Sequence, residues 1–138
     1  MPTELMILGL LAVMAASLWI PYIVGVNTAP DGSIPADAPD GFIRPPDPSY
    51  QREWVHRAYR AHLNMLEQAV PFAVLVLLVD RADGFSTLTL WASVAFLLLR
   101  VAHAVGYITG MAGFPARPLI FTGGWLCCLA MALALFLA

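Results

Sequence analysis

The stretch Arg57-Ala-Tyr-Arg60-Ala-His62-Leu-Asn64-Met-Leu-Glu67-Gln-Ala-Val-Pro71-Phe72 runs without a break into apolar sequence as far as Val79. Its polar members recur at intervals of three and four residues. On an α-helix that spacing puts Arg57, Arg60, Asn64, Glu67 and Pro71 along one stripe. The stripe enters a segment that reads as membrane-spanning, where each buried ionisable group costs about 2.5–3.5 kcal/mol on insertion scales. Such groups persist when they face a partner helix, a water-filled cavity or a ligand. The stripe is therefore a functional-site candidate.

Composition sets the same frame. Of 138 residues, 60% are hydrophobic and 12% charged, against about 25% charge in an ordinary soluble domain. The apolar excess reads as membrane-embedded surface. Net charge is -2 with no long basic or acidic block, which argues against nucleic acid as a partner. All seven basic residues are arginine, the side chain suited to forked recognition of carboxylates. Cys127 and Cys128 are adjacent, lie in apolar sequence and lack a second pair. They read as packing or membrane-facing residues, and no metal site is expected.

Four apolar segments approach the length of about 20 residues that a helix needs to cross a bilayer. They cover about 5–26, 54–79, 86–107 and 118–138. The first lacks a basic leader and a small-residue cleavage site, so it reads as a retained helix, bent at Pro21. The fourth contains Gly123-Gly124 and several alanines, which let neighbouring helices approach closely. The connection over about 27–52 carries Pro30, Pro35, Pro39, Pro45, Pro46 and Pro48 and is expected to be an irregular polar loop. Short turns follow at 80–84 and 109–116. Arginine falls mainly in or beside the first and third connections, which predicts that both face the cytoplasm with the two termini on the opposite side. The chain reads as one membrane domain with no internal repeat.

A second polar stripe, Arg100-Val-Ala-His103-Ala-Val-Gly-Tyr107, occupies one face of the third span. Arg100 needs a counterpart inside apolar surroundings. Either Glu67 pairs with it, or Glu67 receives an ammonium group from a ligand. Arg117-Pro118 opens the fourth span, where proline suits the first helical turn. Together the stripes gather guanidiniums, one carboxylate, one carboxamide, imidazoles and a phenol toward one end of the helices. That chemistry suits a small ligand bearing carboxylates and an amine. An arginine beside a thiol would favour its thiolate, lowering a pKa of about 8.5.

At these residues the chain resembles the MAPEG family, membrane-associated proteins in eicosanoid and glutathione metabolism. The resemblance rests on Arg57-x-x-Arg60-Ala-His62-x-Asn64-x-x-Glu67, on Pro71-Phe72 and on Arg100-Val-Ala-His103-x-x-x-Tyr107. It covers nearly the whole chain and is closest to the bacterial branch. It implies an all-α integral membrane four-helix bundle that assembles as a homotrimer, with glutathione as co-substrate between neighbouring subunits near the cytoplasmic side. By similarity, Arg60, Asn64, Glu67, His103 and Tyr107 fall at glutathione-binding positions. Arg117 matches the catalytic arginine that stabilises the thiolate. From their own placement on the helices, Arg57, His62 and Arg100 read as structural or pocket-lining residues.

The pattern also departs from the family. Leu63 stands where the prostaglandin synthase of the family has arginine, and Pro118 where it has a serine proposed to assist the thiol. Asn27-Thr28 closes the first span without the basic residue that several members direct at glutathione. Three functional readings follow. The first is a glutathione-dependent transferase or peroxidase acting on a hydrophobic electrophile from the membrane. The second is a non-catalytic membrane subunit or lipid-binding scaffold. The third, a channel or transporter, fits worst, because the charges collect toward one side.

Overall fold

The computed structural model describes residues 1–28 and 52–138. Most of the proline-rich connection expected over about 27–52 lies outside them. The described residues form α1 (Thr3–Ser17), α2 (Ile20–Thr28), α3 (Glu53–Arg81), α4 (Thr87–Thr109) and α5 (Ala116–Leu137). The first expected span is thus two helices, separated at Leu18–Trp19. Pro21 lacks an N–H, and its ring crowds the carbonyl of Ser17, so the break falls in the turn ahead of it. Pro71 does not interrupt α3, whose neighbours hold it on both sides of the proline.

The other boundaries follow local chemistry. At the end of α3, Gly84 N–H donates to Val79 O at 3.0 Å and Asp83 N–H to Asp80 O at 3.1 Å, with Asp83 at φ 51°. That pairing is a Schellman closure with aspartate in the left-handed position. Ser86 and Thr89 form a reciprocal capping box at the start of α4, satisfying N–H groups that the helix leaves over. Glu4 accepts from the Thr89 hydroxyl at 2.8 Å and is only 6% exposed. Glu4 lies just ahead of the span expected from about residue 5, and its contact ties the start of α1 to the start of α4.

α3, α4 and α5 pack against one another, α1 lies against α3 and α4, and α2 against α3. The core runs through Leu11, Met65, Phe72, Val76, Phe96 and Met131. The Phe72 and Phe96 rings stack with centroids 3.9 Å apart. Large apolar side chains also cover the outside. Leu10, Val13, Val70, Trp91, Leu98 and Leu119 are each more than half exposed. Water would penalise that outer surface heavily, whereas lipid would not. With α1 and α2 counted together, four helical segments are long and apolar enough to cross a membrane, and the surface is that of an integral membrane protein.

α3 has 29 residues, or roughly 43 Å at 1.5 Å per residue, which exceeds a hydrocarbon core of about 30 Å. At least one end of α3 therefore reaches interfacial depth, and Arg57 and Arg60 lie nearer its first turn than Asn64 and Glu67 do.

Candidate functional site

The α3 stripe forms one wall of the site. Arg60, Asn64 and Glu67 are spaced i, i+4, i+7 and share a face of the helix. Arg60 and Glu67 are exposed on this chain and Asn64 is half-buried. Asn64 Nδ2 donates to the Arg60 carbonyl at 3.3 Å, so its amide oxygen stays available. Pro71 has no N–H to give the Glu67 carbonyl. The stripe thus presents a backbone acceptor as well as a carboxylate.

The opposite wall is the start of α5. Pro115 caps this helix without a side-chain hydrogen bond. Arg117 occupies the first turn, with its N–H on the Gly113 carbonyl at 3.1 Å. The Arg117 guanidinium lies 4.3 Å from the centroid of the Tyr107 ring, a cation–π contact that fixes the charge without neutralising it. The Tyr107 and His103 rings are 5.4 Å apart and both are buried. Tyr107 supports Arg117 from below, while His103 reaches the wall of the site itself.

Between the walls is a cavity of about 500 Å³, lined by Arg60, Asn64 and Glu67 from α3, His103 from α4, and Phe114, Arg117, Pro118, Phe121 and Thr122 from α5 and the turn before it. The volume falls within the range of about 300–1,000 Å³ usual for small-molecule sites. Arg60, Asn64 and Glu67 make the α3 wall polar, while on the α5 wall Phe114, Pro118 and Phe121 surround Arg117 with apolar surface. Arg117 also sits at the positive end of the α5 dipole, so this end of the cavity favours an anion. Seven of the nine lining residues are exposed on this single chain, so the cavity is open on one side.

Four expected pocket residues do not line the cavity: Tyr107, beneath Arg117, and Arg57, His62 and Arg100. Arg57 Nε donates to the Ile108 carbonyl at 3.3 Å, and Nη1 pairs with Glu53 at 3.3 Å. It closes the end of α4, where carbonyls lack helical partners. Its guanidinium packs against Gly110, whose φ of 79° ends that helix. His62 is half-buried and does not line the cavity. Arg100 is 1% exposed, and its Nη2 donates to the Ile120 carbonyl at 3.2 Å. The Arg100–Glu67 pairing considered from sequence does not form: Arg100 turns inward, Glu67 faces the cavity, and Arg57–Glu53 is the one ion pair among the described residues.

Phe114, Phe121 and Thr122 were missed in the sequence. Phe121 follows Arg117 at i+4 and Thr122 follows Pro118 at i+4, so helical spacing alone puts each on the face of a residue already singled out. Gln68, beside Glu67, was also overlooked. It is 6% exposed, and its Nε2 donates to the Phe121 carbonyl at 2.9 Å. Among the described residues no cluster of His, Cys, Asp and Glu is placed to hold a metal ion.

No curated protein sequence matches the chain. The sequence model of the MAPEG family matches residues 6–137. That span takes in every cavity-lining residue and all the helices except the first turn of α1. A match of that extent, on four apolar spans with polar stripes in the second and third, shows that the chain belongs to the MAPEG family.

Proposed function

We propose that the protein is a membrane-embedded, glutathione-dependent transferase or peroxidase-like enzyme that directs a thiol at a lipophilic electrophile. The observation that carries this reading is the meeting of two guanidiniums, Arg60 and Arg117, with one carboxylate, Glu67, in a cavity whose α5 wall is largely apolar beside Arg117. Glutathione has two carboxylates, one ammonium and one thiol, and this donor set complements it. Glu67 takes the ammonium. Arg60 and Asn64 take a carboxylate, Arg60 through its fork. Arg117, held over Tyr107, faces the sulfur and stabilises negative charge there. His103 offers a further polar contact from the floor. Bound glutathione supplies the nucleophile, its thiolate. Phe114, Pro118 and Phe121 keep water from the sulfur and meet the lipophilic partner, so the protein contributes proximity and thiol ionisation.

The open side of the cavity is closed by a second copy of the chain, in a homotrimer. Exposed Arg60, Glu67 and Arg117 beside an apolar outer surface support that assembly, because lipid tails cannot pair with them. The cavity lies at the end of the bundle that carries Arg52, Arg57, Arg60 and Arg117. The positive-inside tendency assigns that end to the cytoplasm, and glutathione arrives from there while the lipophilic substrate arrives through the bilayer.

One observation favours the non-catalytic alternative, a membrane subunit or lipid-binding scaffold on the same fold. Pro118 brings no hydroxyl to the wall, although Thr122 supplies one a turn later. Titration of glutathione into the protein in lipid nanodiscs, followed by calorimetry, separates the two. Saturable binding at millimolar glutathione or below is expected for the enzyme. A flat titration, with lipid retained in the cavity, would establish the scaffold instead.

A further inference from the structure

Gln68 and Arg100 belong to neither wall of the cavity, yet both are almost wholly buried, at 6% and 1% exposure. They come from different helices and end on consecutive carbonyls of α5. Gln68 Nε2 donates to Phe121 O at 2.9 Å and Arg100 Nη2 to Ile120 O at 3.2 Å. Residue 124 makes this convergence possible. A Cβ there would overlap Gln68 Oε1 and stand 2.9 Å from Arg100 Nη2, so any residue but glycine would displace the ends of both side chains from these positions. Arg100 is braced from behind by the Phe96 ring, 5.5 Å from its guanidinium carbon, and Phe96 is stacked on Phe72. The pair is thus anchored in the core.

Beyond the packing of α5 on α4 and the Arg117–Tyr107 contact, the first turn of this segment has few polar ties of its own. Pro115 provides no side-chain cap, and Pro118 has no N–H to give. The ties of the first turn to the preceding connection are Arg117 N–H to Gly113 O at 3.1 Å and Leu119 N–H to Pro115 O at 3.3 Å. Yet this turn carries Arg117, and the next carries Phe121 and Thr122, all in the cavity wall. Burying a guanidinium costs several kcal/mol or more unless its groups are paired. An apolar side chain would fill the same space without that penalty. It would not grip backbone carbonyls and so would not resist rotation or sliding of α5.

We infer that Gln68 and Arg100 form a buried clamp, admitted by Gly124, that sets the height and rotation of the first turns of α5 and thereby positions Arg117 over the cavity. Both are positioning residues, and neither touches the ligand. The link to Arg117 chemistry rests on the glutathione reading above, while the clamp itself does not.

The test uses the full chain in lipid nanodiscs. Gln68→Met keeps an unbranched side chain of similar size but removes the donor. Gly124→Ala keeps both donors and displaces them, and serves as the second variant should either fold poorly. The first readout is amide hydrogen exchange without ligand. Both variants are expected to raise exchange over residues 116–124 by roughly tenfold, the scale of one lost hydrogen bond, with α1 unchanged. Unchanged exchange over 116–124 would overturn the clamp. The second readout is the pKa of the bound glutathione thiol, from ultraviolet pH titration, in a double-mutant cycle of Gln68→Met with Arg117→Ala. The Gln68 change is expected to raise that pKa when Arg117 is present and to leave it unchanged when Arg117 is absent. Additive shifts would overturn the positioning of Arg117. If the unaltered protein gives no thiolate signal, the glutathione reading fails, and the exchange experiment still decides the clamp.

Discussion

Replacing Arg117 with alanine is expected to abolish the thiolate absorbance of glutathione bound at neutral pH. A thiol beside a fixed positive charge ionises in the range of about 3.5–7.5, compared with about 8.5 when free. With Arg117 in place, the thiolate signal therefore persists as pH falls through neutrality and is lost only on acidification. Without it, the thiol keeps its proton until pH approaches about 8.5, and only a few per cent is ionised near pH 7. Two features make the effect large. Arg117 has a ring beneath it at 4.3 Å and no carboxylate paired with it among the described residues, so its charge is available to the ligand. Removing one preorganised stabiliser of developing negative charge typically costs about 10²–10³ in rate. A pH titration that is unchanged in Arg117→Ala would assign thiol activation to another group.

Glu67→Gln is expected to weaken glutathione binding by roughly 10- to 100-fold, the scale of a charge-assisted hydrogen bond worth about 1.5–3 kcal/mol. The substitution preserves shape and removes only the charge that receives the ammonium. The selective control is N-acetylglutathione, whose amine is blocked. The unaltered protein and Glu67→Gln are expected to bind it with equal affinity. Equal losses for both ligands would mean that Glu67 supports the helix surface and does not read the amine. Because Glu67 is exposed on the single chain and pairs with no described residue, its replacement leaves the packing of the protomer intact.

Much of the architecture is legible in the sequence because the membrane reduces it to length and polarity. Four apolar segments give the spans, Pro21 gives the break in the first, and arginine marks one end. The α3 wall is legible for a related reason. Arg60, Asn64 and Glu67 are polar residues against an apolar background, so their helical spacing stands out. The α5 wall offers no such contrast, since Phe114, Pro118 and Phe121 are apolar residues in or beside an apolar helix. Their role depends on which face of α5 meets α3, which tertiary packing decides.

The partners of Arg100 and Gln68 were hidden for a different reason. They bond to backbone carbonyls, which every residue has, and the position that lets them in is a glycine, Gly124, which reads only as permission for close packing. In the sequence, Glu67 is therefore the acid that offers itself to Arg100, as a carboxylate well inside a span. Glu4 escaped because an acidic residue near a chain end reads as solvated. Its acceptor role with Thr89 joins residues 85 positions apart, beyond the reach of any local pattern.

The meeting of the α3 stripe with polar surroundings, not lipid, is tested most directly by a nitroxide label at position 67. The label is placed on Cys127→Ala/Cys128→Ala protein in bilayers, and its collisions with a water-soluble nickel chelate and with oxygen are compared with those of a label at Leu98, which is 63% exposed on the outer apolar surface midway along α4. At position 67 the expected result is contact with the chelate, or shielding from both relaxants by a neighbouring subunit, while position 98 reports oxygen alone. Oxygen-dominated collisions at position 67, equal to those at Leu98, would place the Glu67 face in the lipid tails and contradict a ligand site there.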